Sequence, residues 1–231
     1  MQTFLPKFLA LVQHSPSQPM PKGLLQPPSS LRLVDLGCGT GRNTLSLLNQ
    51  APENAEIIGL DASHGMLDVA RKTMQQELEE EKNWSKNLML EMYDMLRSTL
   101  TPPARALNAS GVISTLVLEH IPVPETFFAT ATALLKPGGY FLVTNMHSDM
   151  GAMSQAGFVD VVTGVKIRPT SYSHTVQAVL DAAARAGFDV VGNRGVRERR
   201  VCEDMLEALG ERANKWIGVT VWFGVCFRKR D

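Results

Sequence analysis

The stretch Val34-Asp-Leu-Gly-Cys-Gly-Thr-Gly-Arg42 constrains this chain more than any other. A β-favouring run, Leu31-Arg-Leu-Val-Asp-Leu36, leads into it, and a helical pattern with Leu45, Leu47 and Leu48 follows over 41–49. Glycines at 37, 39 and 41 between a strand and a helix mark a turn where backbone can approach a ligand with no Cβ in the way. Strand, turn and helix of this kind form half of a βαβ unit, so a parallel sheet covered by helices is expected.

The pattern continues along the chain. Strand-like runs over 56–60, 88–93, 111–117 and 140–144 alternate with helical patterns over 66–81 and 125–135. Lys136-Pro-Gly-Gly139 reads as a turn before the fifth strand. A hairpin is expected from Phe158–Val162 and Val165–Ile167 around Thr163-Gly164, a helix over 175–186 stopped by Gly187, and strands over 190–201 and 220–227 flanking a helix over about 203–217. The predicted fold is a three-layer αβα, Rossmann-like domain whose seven-stranded sheet is mostly parallel and ends in an antiparallel strand.

Lys plus Arg and Asp plus Glu number 23 each, so the net charge is zero. That argues against nucleic acid or an anionic membrane face as partner, since both attract an excess of basic residues. No apolar run is long enough to span a membrane. Cys38, Cys202 and Cys226 lie far apart with no Cys/His cluster, which points to a reducing, cytoplasmic setting and no metal site. The apolar start over 4–12 is interrupted by Lys7 and lacks a small-residue cleavage site, so it reads as an amphipathic helix, followed by a proline-rich connector over 15–30.

The residues also limit the ligand. A dinucleotide loop of the form G-x-G-x-x-G would need a third glycine at 42, where the chain has Arg42. Asp35 at the end of the strand would repel a pyrophosphate and favour a cationic group. Asp61 ends the second strand, where a carboxylate can accept both hydroxyls of a ribose. Asp94 ends the third, where it can accept from an adenine amine, with Met66 and Met95 as apolar plates on the ring.

Asp35-Leu-Gly-Cys-Gly-Thr-Gly41, Gly59-Leu-Asp61 with Ser63, Asp94-Met95, Leu118-Glu-His-Ile-Pro122 and Leu135-Lys-Pro-Gly-Gly139 occur here in the order found in class I S-adenosylmethionine-dependent methyltransferases. The chain resembles that family over about residues 31–145, and most of all its small-molecule branch. The resemblance implies S-adenosylmethionine as cofactor and S-adenosylhomocysteine as product. It also implies a cofactor site of Asp35, Gly37, Cys38, Gly39, Asp61, Ala62, Met66, Asp94, Met95 and Thr115, with backbone of Ser114, Thr115 and Leu116 facing the methyl-donor end. Residues 1–30 would then be a partial cap and 31–231 the catalytic domain, with a lid or hairpin insertion at 148–172.

His120 and His147 follow the fourth and fifth strands and are the candidate general bases for a hydroxyl acceptor of the methyl group. His174 reads as a cap or surface group, Tyr172 as a candidate substrate contact, and Arg194, Arg197, Arg199 and Arg200, interleaved with Glu198 and Glu203, as a solvated face. The Met-rich stretch 146–153 could serve as an adaptable apolar lid. Residues 119–122 read Glu-His-Ile-Pro rather than the D/N-P-P-Y/F of amino-methylating DNA enzymes, and no cysteine follows a proline, as in cytosine-C5 enzymes. The small-molecule reading is therefore preferred, with O, N or S as acceptor atom. A cofactor-binding cyclase or isomerase and a non-catalytic partner-binding subunit of the same fold are the competing readings.

Overall fold

The computed structural model describes residues 4–14, 31–81, 87–97, 101–154, 157–168, 170–192 and 195–231. The expected connector over 15–30 lies outside them, as does Arg194. In chain order the elements are α1 (Leu5–Gln13), β1 (Arg32–Leu36), α2 (Arg42–Gln50), β2 (Glu56–Asp61), α3 (His64–Glu81), β3 (Asn87–Met92), β4 (Ala109–Thr115), α4 (Pro124–Leu134) and β5 (Leu135–Met146). Then come α5 (Ser148–Met153), β6 (Phe158–Val159), β7 (Lys166–Ile167), α6 (Val176–Arg185), β8 (Phe188–Val190), β9 (Arg197–Arg200), α7 (Leu206–Leu209) and β10 (Thr220–Lys229).

The main sheet runs β3-β2-β1-β4-β5-β10-β8, with β9 also paired to β10. The first five strands are parallel, and β10 is antiparallel to β5. Successive residues of each strand point to opposite faces, which is why the buried strands read as almost unbroken apolar runs. Leu33, Ile57, Ile113 and Leu142 pack on one face with Leu5, Phe8, Leu9 and Val12 of α1 and Leu47 of α2. Val34, Ile58, Val112 and Phe141 pack on the other with Phe127 and Phe128 of α4 and Val179 of α6. Phe128 is fully buried at the centre of an aromatic group, 5.5–6.0 Å from the rings of Phe141, Phe188 and Phe227. The αβα layering and the antiparallel last strand are as the sequence predicts.

Four local expectations change. The edge strand expected over 190–201 is split into β8 and β9, which lie along the same edge of β10, so the sheet has eight strands instead of seven. Gly192 and Gly195 in the break both have positive φ. The helix expected over 203–217 is reduced to α7 between two 3-10 turns, because Gly210 (φ 78°, ψ 169°) breaks it and most of its residues are exposed, leaving no buried stripe to hold a longer helix. Lys136-Pro-Gly-Gly139 is drawn into β5 as an irregular start, with a register shift against β4 between Ala109 and Gly111. The hairpin forms, but only as Phe158–Val159 against Lys166–Ile167.

Sheet order reverses between β1 and β4, with β2 and β3 on one side and β5 on the other. The loops after these strands therefore diverge and leave a crevice at their C-terminal ends, the usual ligand position in such sheets.

Candidate active site

A cavity of about 530 Å³ fills that crevice. Its floor is the loop after β1. Gly37 N–H and Cys38 N–H both donate to the Leu60 carbonyl, at 2.7 and 2.9 Å, which folds the loop over the end of β2. Gly37 has φ +76°, and a Cβ there would stand 2.2 Å from Val117 Cγ2. Gly39 has φ +54°, and a Cβ on it would meet no protein atom within 4 Å. The first glycine thus serves packing, whereas the second, which lines the cavity, leaves ligand-sized space above the backbone.

Asp61 braces this floor. Its Oδ2 accepts from Gly39 N–H at 2.7 Å and its Oδ1 from Ser63 N–H at 2.8 Å, so each oxygen keeps capacity for one further donor. Asp94 Oδ1 accepts from Leu96 N–H at 2.9 Å, and its Oδ2 lies 3.4 Å from Arg97 Nε. Cys38, Ala62, Met66, Met95, Thr115 and His120 also line the cavity. Burial pushes the Cys38 thiol well above its ordinary range, so it is a packing group there and not a nucleophile.

Two predicted residues stand elsewhere. Asp35 is 1% exposed and lies behind the loop instead of in the lining. Its Oδ2 accepts from Thr44 Oγ1 at 2.7 Å, while Oδ1 has no partner among the described residues. Burial pushes its carboxyl up to about 7; the Thr44 hydrogen bond opposes the rise and the nearby Asp61 charge adds to it. His147 is outside the cavity because its ring is taken up by β9 and α5. Its Nε2 is 3.1 Å from Glu198 Oε1, and Nδ1 accepts from Asp149 N–H at 3.1 Å, capping α5. The Met-rich stretch does not reach the cavity either, since α5 packs against β10.

Several lining residues escape sequence reasoning. Tyr93, Val117 and Ile121 supply apolar wall. Leu116, which the resemblance places at the methyl-donor end, does line the cavity, but its φ of +56°, costly for a branched side chain, and its half-exposed place at the mouth are not legible in the sequence. Beside the main cavity a hollow of about 340 Å³ shares Asn43, Thr115 and Leu116 with it, and Leu5 of α1 forms part of its wall. His174 donates Nε2–H to the Ile121 carbonyl at 2.8 Å, fixing the loop that carries His120. Backbone strain and a long-range side-chain bond leave no local sequence pattern, whereas the loop glycines and strand-end acids do.

The crevice therefore combines a glycine floor open to a ligand, a strand-end carboxylate with unused acceptor capacity, and an apolar wall that suits an adenine ring. These features fit S-adenosylmethionine and define a nucleoside-cofactor-binding α/β transferase. A family model described as "Methyltransferase domain" matches residues 8–193. The chain belongs to this family and is a class I S-adenosylmethionine-dependent methyltransferase. It is 53% identical to an uncharacterized methyltransferase of Emericella nidulans, over 97% of this chain and 80% of that protein. It is 30% identical to the ubiquinone biosynthesis O-methyltransferase of Cereibacter sphaeroides, over 74% of this chain and 65% of that one. An S-adenosylmethionine-dependent methyltransferase from Mesorhizobium loti superposes with a TM-score of 0.62 at 21% identity, covering 89% of this chain and 94% of that one, a likeness of fold.

Proposed function

We propose that this methyltransferase acts on a hydroxyl group of a small, partly apolar molecule, with His120 as general base. The observation that carries the reading is the place of His120, in the lining of the cofactor cavity beside the apolar Leu116, Val117 and Ile121. Similarity to the ubiquinone biosynthesis O-methyltransferases supports oxygen as the acceptor atom.

In this reading Gly37, Cys38 and Gly39 cradle the methionine part of the cofactor, Asp61 and Ala62 hold the ribose, and Asp94, Met66 and Met95 surround the adenine. Thr115 and Leu116 face the reacting end. Asp35 acts from behind the loop as a negative or protonated floor, without direct contact. The cofactor supplies a methyl group activated by sulfonium charge. The protein's work is to hold the hydroxyl in line with that methyl group and to take its proton at His120. Residues 1–30 act as a partial cap through Leu5, and 31–231 as the catalytic domain. No helix among the described residues is long and apolar enough to cross a membrane. With zero net charge and three unpaired cysteines, we place the protein in the cytoplasm, acting on a diffusible molecule and not on nucleic acid.

The test is S-adenosylhomocysteine release with an alkyl-substituted catechol, an alkylamine and an alkylthiol as alternative acceptors. The catechol should turn over, and His120→Ala should lower kcat by about 10²-fold or more while cofactor binding is kept. Turnover of the amine or thiol alone, or full activity of the variant on the catechol, would overturn the reading.

A further inference from the structure

A second cavity lies away from the cofactor, on the sheet face covered by α1. It measures about 540 Å³ and shares no lining residue with the crevice at the strand ends. Phe8 and Leu11 of α1, Tyr140 and Leu142 of β5 and Cys226 of β10 make its apolar walls. Its remaining side is the interruption of the edge strand. An unbroken strand over 188–200 would run straight along β10, but β8 ends at Val190 and β9 begins at Arg197, and Val191, Gly192 and Gly195 between them form cavity wall instead. A Cβ on either glycine would meet nothing within 4 Å, so no neighbour crowds the break.

The charged groups at this cavity, Lys7 and Arg197, are of one sign. Lys7, His14 and Arg197 line it, and no carboxylate does. Neither Lys7 nor Arg197 has an ion-pair partner among the described residues. The Arg197 guanidinium stacks 5.1 Å from the centre of the Phe4 ring, which holds its planar donor edge in place. His14 donates Nδ1–H to the Ala10 carbonyl at 2.7 Å, fixing that ring as well. Residues 15–30, which follow α1, contain no Asp or Glu, so that segment offers nothing to neutralise these cations. A largely apolar hollow whose charged lining residues, Lys7 and Arg197, are both cationic suits a ligand with a chain or ring at one end and an anion at the other.

We propose that this cavity is a second ligand site, for a small amphipathic carboxylate whose apolar part lies against Phe8, Leu142 and Cys226 and whose anion is held by Lys7 and Arg197. The site is independent of the acceptor reading above, since it shares no residue with the cofactor cavity.

The experiment is calorimetric titration of the full chain, saturated with S-adenosylhomocysteine, with decanoate and with 1-decanol. Decanoate is expected to bind once per chain and at least tenfold more tightly than the alcohol. Lys7→Ala with Arg197→Ala should weaken decanoate about tenfold. Ala10→Trp, an exposed helical position at the cavity, should plug it and abolish binding; retained S-adenosylhomocysteine affinity shows that both variants are folded. Absence of decanoate binding, equal affinity for the alcohol, or binding that survives Ala10→Trp would overturn the proposal. Binding seen only after Leu24→Ser with Leu25→Ser would assign the cavity to the chain's own connector and overturn it equally.

Discussion

The Gly39 amide donates to Asp61 Oδ2 across 2.7 Å, joining the glycine loop after β1 to the acid that ends β2. One carboxylate thus shapes the floor of the cavity and also offers acceptor capacity to a ligand above it. Because Oδ1 is held by Ser63 N–H, the carboxylate cannot turn away from either duty. Asp61→Ala should therefore weaken S-adenosylhomocysteine by about 10²-fold, from loss of charge-assisted bonds together with a loosened loop. Calorimetric titration checks this; a loss of less than threefold would mean that Asp61 only braces the loop.

Asp35 makes the stability depend on pH in an unusual direction. Its carboxyl titrates near 7 in the folded chain, above its ordinary 3.8, chiefly because it is buried. Between about pH 4 and 7 the folded state binds more protons at this site than the unfolded state, so its contribution falls as pH rises through that window and is flat above it. The fall is on the order of 4 kcal/mol for this one group. Asp35→Asn keeps the bond from Thr44 and removes the charge. The variant should gain in Tm relative to the parent as pH rises from 4 to 7. A difference in Tm that stays constant across that range would refute the assignment.

Leu116 is held at φ +56° with half its surface exposed at the mouth of the cavity. Strain of this kind costs about 1–2 kcal/mol in a residue with a Cβ, and glycine does not carry it. Leu116→Gly should leave Tm unchanged within about 2 °C, since released strain offsets lost burial and added chain entropy. Turnover should nevertheless fall at least tenfold, because in the proposed reading Leu116 walls the reacting end. A Tm loss above about 5 °C would show that Leu116 is a packing residue.

His147 is tied to Glu198 and to the first turn of α5. Its replacement by alanine removes a helix cap, worth about 1 kcal/mol, so Tm should fall by about 3 °C. Turnover should remain within about threefold of the parent enzyme. A fall in kcat of tenfold or more, with cofactor affinity unchanged, would return His147 to the reaction.

Much of the lining of the crevice is legible in the sequence, because its parts obey local rules. Glycines between a strand and a helix, and acids at strand ends, are positions set by backbone geometry, and Gly37, Gly39, Asp61, Asp94 and Met95 all reach the cavity lining. Asp35 and His147 obey the same rules and still lie outside the lining. Alternation along β1 turns the Asp35 side chain to the α2 side, where Thr44 receives it. The splitting of the last edge strand shows the same limit. Its residues favour a strand, but Gly192 and Gly195, both at positive φ, lie where the pairing along β10 is interrupted.

Alternating apolar runs, turn glycines and strand-end acids in the sequence were enough to determine the layered α/β fold and the crevice at its strand ends, and the family resemblance they carry implied the cofactor. The tertiary structure alone decided which histidine faces the crevice, how strongly Asp35 is desolvated, and that a second, cationic cavity opens beneath α1. These properties arise from contacts between residues far apart in the chain. Burial and long-range charge depend on distances that only packing creates.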